Sequence, residues 1–386
     1  MDTLKIGIIG YGERIAWMVE SLLELSTGVK IAAITDIDEE GVKNRLSANN
    51  TSSDGIRFYK DADEMLSREK LDGVLIGTRC SLHTPLAIKV LSKDIPLFLE
   101  KPVSTNIKDL KALQEASNKS KSPVVVSFPL RVTPLVQLAK EIIESGKIGN
   151  IENVLAFCQV PYSGVYYHSW YRDENETNGL FLQKATHDFD YINYLLGQKP
   201  VCICAMKSKQ IFKGSKPAGL RCKDCDEYET CMESPYNVPT HGGIMPHGGM
   251  CCFAVDTGNE DSGSAILRYE SGMHVTYSQN FFTRNEGAAR GARFFGYKGT
   301  IEFDWFKDEL SVYMHHTPRV ENYKIDSANL SHGGGDAVLV KNFADVMKDR
   351  KVASIAPLES GILSALMCLK AKESDETRTF RDIVLT

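Results

Sequence analysis

The sequence predicts an α/β fold in two parts: a doubly wound parallel sheet, then an α+β part on a large, mostly antiparallel open sheet. Three observations lead there. Short apolar strands alternate with helical patterns through residues 1–128, the order that places helices on both faces of a parallel sheet. After residue 129 the rhythm changes to longer β-like runs joined by hairpin-like turns. The length, 386 residues with 42% hydrophobic and 25% charged, suits a folded chain with two cores.

Leu4–Ile9 reads as a buried strand. Gly10-Tyr11-Gly12 turns the chain into a helix whose Ile15, Met18, Val19, Leu22 and Leu23 share one face. Strands are expected at 29–35, 56–59, 73–77, 96–99 and 124–127, with helices at 62–67, 85–91 and 107–117. A helix over 133–145 stops at Gly146-Lys147-Ile148-Gly149. Strands follow at 151–160, 201–212, 262–269, 274–282, 292–295, 300–303 and 310–314, interrupted by one helix, 180–196. Helices over 336–348 and 358–372 close the chain. Residues of about 213–261 are rich in Gly, Pro and Cys, and a loop that long is uncommon unless functional or held by something.

Lys plus Arg is 45 and Asp plus Glu is 50, a net charge of −5. That balance argues against a nucleic-acid partner, which calls for a basic excess. No apolar run approaches the roughly 18 residues of a membrane span, so no membrane partner is expected. Met1-Asp2-Thr3-Leu4-Lys5 enters an apolar stretch at once, and the expectation is no secretory leader and a cytoplasmic location.

Gly10-x-Gly12 between strand and helix allows a tight turn and a close approach of pyrophosphate. The N–H groups of Glu13, Arg14 and Ile15 then open the helix, whose positive end suits phosphate. Ile15 stands where a third glycine usually permits close helix–strand packing, so the packing there must differ. Asp36 ends the second strand ~20 residues on, where a carboxylate can accept from a ribose 2′-OH and repel a 2′-phosphate. NAD is therefore expected, and NADP disfavoured. The plainer reading is that Asp36 caps the helix starting near Asp38.

Glu100-Lys101-Pro102 follows the strand at 96–99, at the strand ends where ligands bind in such sheets. A lysine there can be partly desolvated and useful in proton transfer, although most lysines in loops are simply solvated. In Gln183-Lys184-Ala185-Thr186-His187, helical spacing puts Gln183, His187 and Asp190 on one face. His187 could serve as general acid or base; a lone helical histidine is more often structural.

In order, these motifs resemble the Gfo/Idh/MocA oxidoreductases, the glucose–fructose oxidoreductase and inositol dehydrogenase group. They are Gly10-x-Gly12, then Thr78-Arg79-Cys80-Ser81-Leu82-His83, Glu100-Lys101-Pro102, Trp170-Tyr171-Arg172, Asn178-Gly179 before the His187 helix, and His332-Gly333-Gly334-Gly335-Asp336. The resemblance spans the chain. It implies an NAD-binding Rossmann domain (1–128) and a C-terminal domain (129–386) whose sheet often forms the oligomer interface, here a homodimer or homotetramer. It implies a sugar or polyol substrate. It also implies that Lys101 polarises the reacting oxygen and that His187 is the acid–base histidine. The family usually has an acid where Gln183 stands, so either Lys101, His187 and Lys184 suffice or the chemistry is not ordinary alcohol oxidation. Gly10, Tyr11, Gly12, Glu13, Arg14, Ile15, Asp36, Thr78, His83, Glu100, Lys101, Arg131, Trp170 and Arg172 fall at cofactor positions; Arg131, Tyr166, Trp170 and Arg172 could instead face the sugar.

Five of the ten cysteines lie within residues 222–252. Cys222-x2-Cys225, Cys231 and a cysteine across the loop read as a closed structural thiolate site, zinc first and iron or an iron–sulfur cluster second. Free buried thiols are the plainer alternative. A similar Cys-rich insertion in a related subgroup points to Cys251 as fourth ligand, with Cys252 and His247 as alternatives. Two further readings of the whole remain: an NAD-retaining enzyme that cleaves glycosides by transient oxidation and elimination, and a non-catalytic sugar or nucleotide sensor.

Overall fold

The computed structural model describes residues 3–26, 28–241, 248–326 and 331–385. They fall into two units: 1–134 with 328–366 and 385–386, and 135–327 with 367–384. The sequence reading placed one cut after residue 128. The first unit instead takes back a late segment, because that segment packs on its sheet. Phe343, from the helix Gly335–Lys348, meets Phe98 edge to face at 5.7 Å. Val126 N–H donates to Ala356 C=O (2.8 Å).

In the first unit β1 (Leu4–Ile9), β2 (Val29–Thr35), β3 (Arg57–Tyr59), β4 (Gly73–Ile76), β5 (Leu97–Leu99) and β6 (Val124–Val126) form one sheet. Its order is β3-β2-β1-β4-β5-β6, and every pair is parallel. The order reverses at β1, so the crevice beyond the carboxyl ends of β1 and β4 is where this topology binds ligands. Continuous apolar runs make β4, β5 and β6 buried throughout, as strands covered on both faces must be. A helix the sequence reading only began, Glu39–Ala48, starts on Asp38, whose Oδ1 accepts from Gly41 N–H (2.9 Å).

The second unit is built on β7 (Ile151–Gln159), β8 (Pro200–Ser208), β9 (Ser262–Tyr269), β10 (His274–Asn280), β11 (Ala289–Gly296), β12 (Gly299–Asp304), β13 (Glu309–Met314), β14 (Val320–Lys324) and β15 (Arg381–Asp382). The order is β14-β13-β12-β11-β7-β10-β9-β8-β15. One pair, β7 with β10, is parallel and the others are antiparallel. Along β9 buried and open residues alternate, the mark of one covered face. The expected helix over 180–196 is two pieces: a π-helical turn, Phe181–Ala185, then an α-helix, Thr186–Leu196.

Candidate active site

Glycine at 10 is demanded by the backbone. Its φ is +79°, and a Cβ there would come within 2.6 Å of Thr78 Cγ2. Past Gly12 the helix Glu13–Leu25 has no side-chain cap, so its first-turn N–H groups are left to an anion. Asp36 sits beside this turn: Oδ2 accepts from Tyr11 N–H (2.7 Å) and Oδ1 from Asp38 N–H (3.0 Å). The cap of the next helix is Asp38, not Asp36. The missing third glycine is made good from the opposite side. A Cβ on Gly77, just past β4, would lie 2.5 Å from Ile15 Cβ, so glycine at 77 makes the room that glycine at 15 would have made.

Five expected cofactor residues, Tyr11, Arg14, His83, Glu100 and Arg131, are bonded or buried within the protein. The Arg14 guanidinium bonds both Asp336 oxygens, Glu100 Oε1 (3.2 Å) and Ser127 Oγ (3.3 Å). It therefore clamps the helix Glu13–Leu25 to the ends of β5 and β6 and to the helix Gly335–Lys348. These carboxylates raise its pKa despite burial. The ring of Tyr11 is buried, and its phenol is pushed up to about 12, chiefly by desolvation. His83 is buried with Nδ1 2.8 Å from Pro102 C=O and Nε2 3.2 Å from Thr78 C=O. It ties the two loops that carry Thr78 and Lys101, and burial lowers its pKa. Thr84 Oγ1 donates to Val103 C=O (2.9 Å) and anchors the same loop. Lys101 itself is half-buried at the end of β5, before a cis Pro102. Arg131 is buried and donates to Ile355 C=O (3.1 Å).

In the second unit the π-helical turn Phe181–Ala185 leads directly into the helix of His187. Gln183, on this turn, is fully buried. Its Nε2 donates to Thr177 C=O (2.8 Å), which makes it an anchor to the preceding helical turn. Glu260 Oε1 accepts from Leu180 N–H (2.8 Å) and Phe181 N–H (3.0 Å), holding the start of this turn. The Lys184 ammonium donates to Tyr162 Oη and lies 4.7 Å from that ring's centre. His187 opens the α-helix, nearly buried. Asp188 beside it is fully buried and bound to Arg290 Nε and Tyr277 Oη, each at 2.8 Å. Tyr162, Glu260 and Arg290 escaped the sequence reading. Arg290 left a faint signal: it is in step with Ala292 and Phe294, buried positions two and four residues on in the same strand.

Two family models match. One, described as an oxidoreductase family with an NAD-binding Rossmann fold, covers residues 4–128. The other, the GFO/IDH/MocA C-terminal domain, covers residues 136–302. The chain belongs to the Gfo/Idh/MocA oxidoreductase family. It is 27% identical over 348 residues to the oxidoreductase YteT of Bacillus subtilis, covering 80% of each chain. It is 26% identical over 198 residues to the myo-inositol 2-dehydrogenase of Thermotoga maritima, covering 51% of this chain and 56% of that one. A levoglucosan dehydrogenase solved with NADH and levoglucosan has the same fold (TM-score 0.78, 17% identity, 98% of this chain and 99% of that one).

Of the remaining expected residues of this Gfo/Idh/MocA chain, Arg172 is bonded to the Cys-rich insertion. One Arg172 amino group donates to Asp256 Oδ1 and Thr257 Oγ1, both at 2.7 Å. Trp170 stacks on Tyr171 at 3.8 Å. All ten cysteines are free. Burial, and after it the nearby Cys251, Cys231 and Cys225, push the pKa of Cys222 up to about 11. The four are thus neighbours, but they do not form the expected tetrahedral site. Among the described residues no three His, Cys, Asp or Glu side chains are placed to hold a metal ion; His247 lies outside those residues. The described part of the insertion is held by hydrogen bonds. Asp261 Oδ2 accepts from Gln210, Ile211 and Phe212 N–H (2.8, 2.6 and 3.0 Å), and Cys222 and Cys251 N–H donate across the loop to Gly249 and Leu220 C=O, both at 2.8 Å.

Proposed function

We propose that this family member is an NAD-dependent dehydrogenase that oxidises a CH–OH group of a cyclitol, sugar or sugar derivative. The observation that carries the reading is the uncapped helix end at Gly10-x-Gly12 with Asp36 beside it. These residues fit a dinucleotide: Gly12 and the first-turn N–H groups of Glu13–Leu25 would take the pyrophosphate, and Asp36 the ribose. When bound, NAD supplies the hydride acceptor. Lys101 and His187 are assigned the proton of the hydroxyl. Gln183 is assigned no proton, because its amide holds Thr177 C=O. Relatives named as dehydrogenases of inositol support the polyol class. No observation favours the eliminating or the sensing alternative.

The test is NADH formation from NAD with a panel including myo-inositol and levoglucosan. Net NADH is expected, and Lys101→Ala lowers kcat by roughly 10²–10⁴-fold. Cleavage of glycosides without net NADH overturns the reading.

For the insertion we propose structural zinc on Cys222, Cys225, Cys231 and Cys251. Soft, unpaired, neighbouring thiols support it, and it requires their side chains to converge further than they do. Metal analysis of protein purified without added metal decides: about one zinc per chain is expected, and metal-free protein with every thiol titratable removes the assignment. Ten free thiols suit a reducing, cytoplasmic setting. Exposed Leu155, Met206 and Ile266 on the second unit's sheet support a homo-oligomer.

A further inference from the structure

Lys184 is 4% exposed, and no carboxylate pairs with it among the described residues. Burying an ammonium is costly unless it is bonded. Its partner is a neutral phenol, Tyr162, 22 positions earlier in the chain. A methionine would fill the same space without the desolvation penalty, so packing alone does not account for the lysine. Tyr162 is only half-buried and opens the segment that runs on to the helical turn Gly164–His168.

The hydrogen-bond inventory fixes the direction of this pair. An ammonium has three donors and no acceptor, whereas a phenol has both. The Tyr162 oxygen therefore accepts from Lys184, and its own O–H is turned away from the lysine and free to donate. Two buried hydroxyls next to the pair in the chain, Ser163 Oγ and Thr186 Oγ1, have no hydrogen-bond partner. Such groups are uncommon in a finished interior. Three residues beyond Lys184 stands His187, the assigned acid–base group.

We propose that Tyr162 donates a hydrogen bond to a hydroxyl oxygen of the polyol substrate. Lys184 acts through it as a positioning residue, holding the phenol and its donor direction. This rests on the polyol-dehydrogenase reading above and adds the residue that orients the substrate. Lys184 is thereby removed from the proton-transfer set, since its ammonium is spent on Tyr162.

The experiment is a double-mutant cycle on the NAD-saturated protein. Initial rates are measured with myo-inositol and with levoglucosan, and binding of each polyol to the NADH complex is measured by calorimetry. Tyr162→Phe is expected to lower kcat/KM about 10–100-fold, mainly through KM, the range for losing a hydrogen bond with a charged group behind it. NADH affinity should move less than about twofold. Lys184→Met should cost a similar factor in the wild-type background and less than about threefold in the Tyr162→Phe background, and Lys184→Arg should restore most of the loss. Equal kcat/KM in Tyr162→Phe and wild type overturns the proposal, as does an undiminished Lys184→Met loss in the Tyr162→Phe background. If Lys184→Met does not fold, Tyr162→Phe decides alone. A polyol that binds the NADH complex without turnover sinks the dehydrogenase reading but not this one, provided Tyr162→Phe weakens that binding. If neither polyol binds or reacts, both fall.

Discussion

Ile15 and Gly77 divide between them a task that two glycines of a nucleotide turn usually leave to one position. The contact runs from Gly77 to the Cβ of Ile15, so Ile15→Ala would not relieve it and Ile15→Gly would. Gly77→Ala is therefore expected to cost about 1–3 kcal/mol as overpacking and to weaken NADH binding, while adding Ile15→Gly recovers part of both. Equal urea midpoints for Gly77→Ala and wild type would refute the complementarity. A second residue-scale consequence concerns acid. His83 and His168 both have pKa values lowered by burial. At His83 two carbonyl neighbours favour the imidazolium, yet desolvation prevails. A histidine depressed in the folded state binds its proton more readily when unfolded, so stability is full above the unfolded value near 6.5 and falls as pH drops below it. Urea midpoints should decline from pH 7 toward pH 5. The decline should be shallower in His168→Asn, whose amide can still donate to Met250 C=O, the carbonyl 2.6 Å from His168 Nδ1. An unchanged slope would refute the assignment.

Two parts of the second unit, the helix with His187 and the Cys-rich insertion, are each held by a buried aspartate. The helix Thr186–Leu196 is fixed to β11 and β10 through Asp188, Arg290 and Tyr277. Both charged side chains are below one-tenth exposure. Removing one partner strands the other, so Arg290→Met or Asp188→Ala should destabilise by about 3–5 kcal/mol, while replacing both by apolar residues of similar volume should cost much less. Denaturant unfolding of the three variants tests this, and additive losses would contradict it. Asp261 does the corresponding work for the insertion. With three backbone N–H groups on one oxygen, Asp261→Ala leaves three donors orphaned at about 1 kcal/mol or more each. Limited proteolysis should then cut between residues 213 and 261 first; unchanged cutting would show that the cross-loop bonds suffice. The π-helical turn before His187 has no signature in the sequence. FLQKA reads like any helix, and nothing in it announces the extra residue in the turn.

Across the molecule, what could be read from sequence is what has a period. β1 and β2 were bounded correctly because their apolar runs end at turn residues, and β9 because its alternation is strict. The helix Glu39–Ala48 carries only Val42 and Leu46 inward, and the edge strand β14 has no buried residue, so neither has a hydrophobic signature to read. The candidate site divides the same way. Gly10, Gly12, Asp36 and Lys101 lie at positions set by strand ends. The Arg14–Asp336 clamp spans 322 positions and Lys184–Tyr162 spans 22, and such partners are chosen by the fold. Asp36 links the legible part to the behaviour of the whole protein. A ligand that binds only the folded state stabilises it by RT ln(1 + [L]/Kd), about 2.7 kcal/mol at a hundredfold excess over Kd. NADH should therefore shift the thermal unfolding of the first unit upward in a concentration-dependent way, and NADPH at the same concentration should shift it less, because on the proposed reading Asp36 would face the added phosphate. Asp36→Ala removes both the acceptor proposed for the ribose and the proposed repulsion. It should shrink the NADH shift, enlarge the NADPH shift, and lower the ratio of the two dissociation constants by about tenfold, the equivalent of about 1.4 kcal/mol. A larger shift with NADPH than with NADH in the unmodified protein would show that the carboxylate does not set the preference, and the nucleotide end would have to be read again from Arg45, whose guanidinium bonds Tyr11 C=O at 2.6 Å beside it.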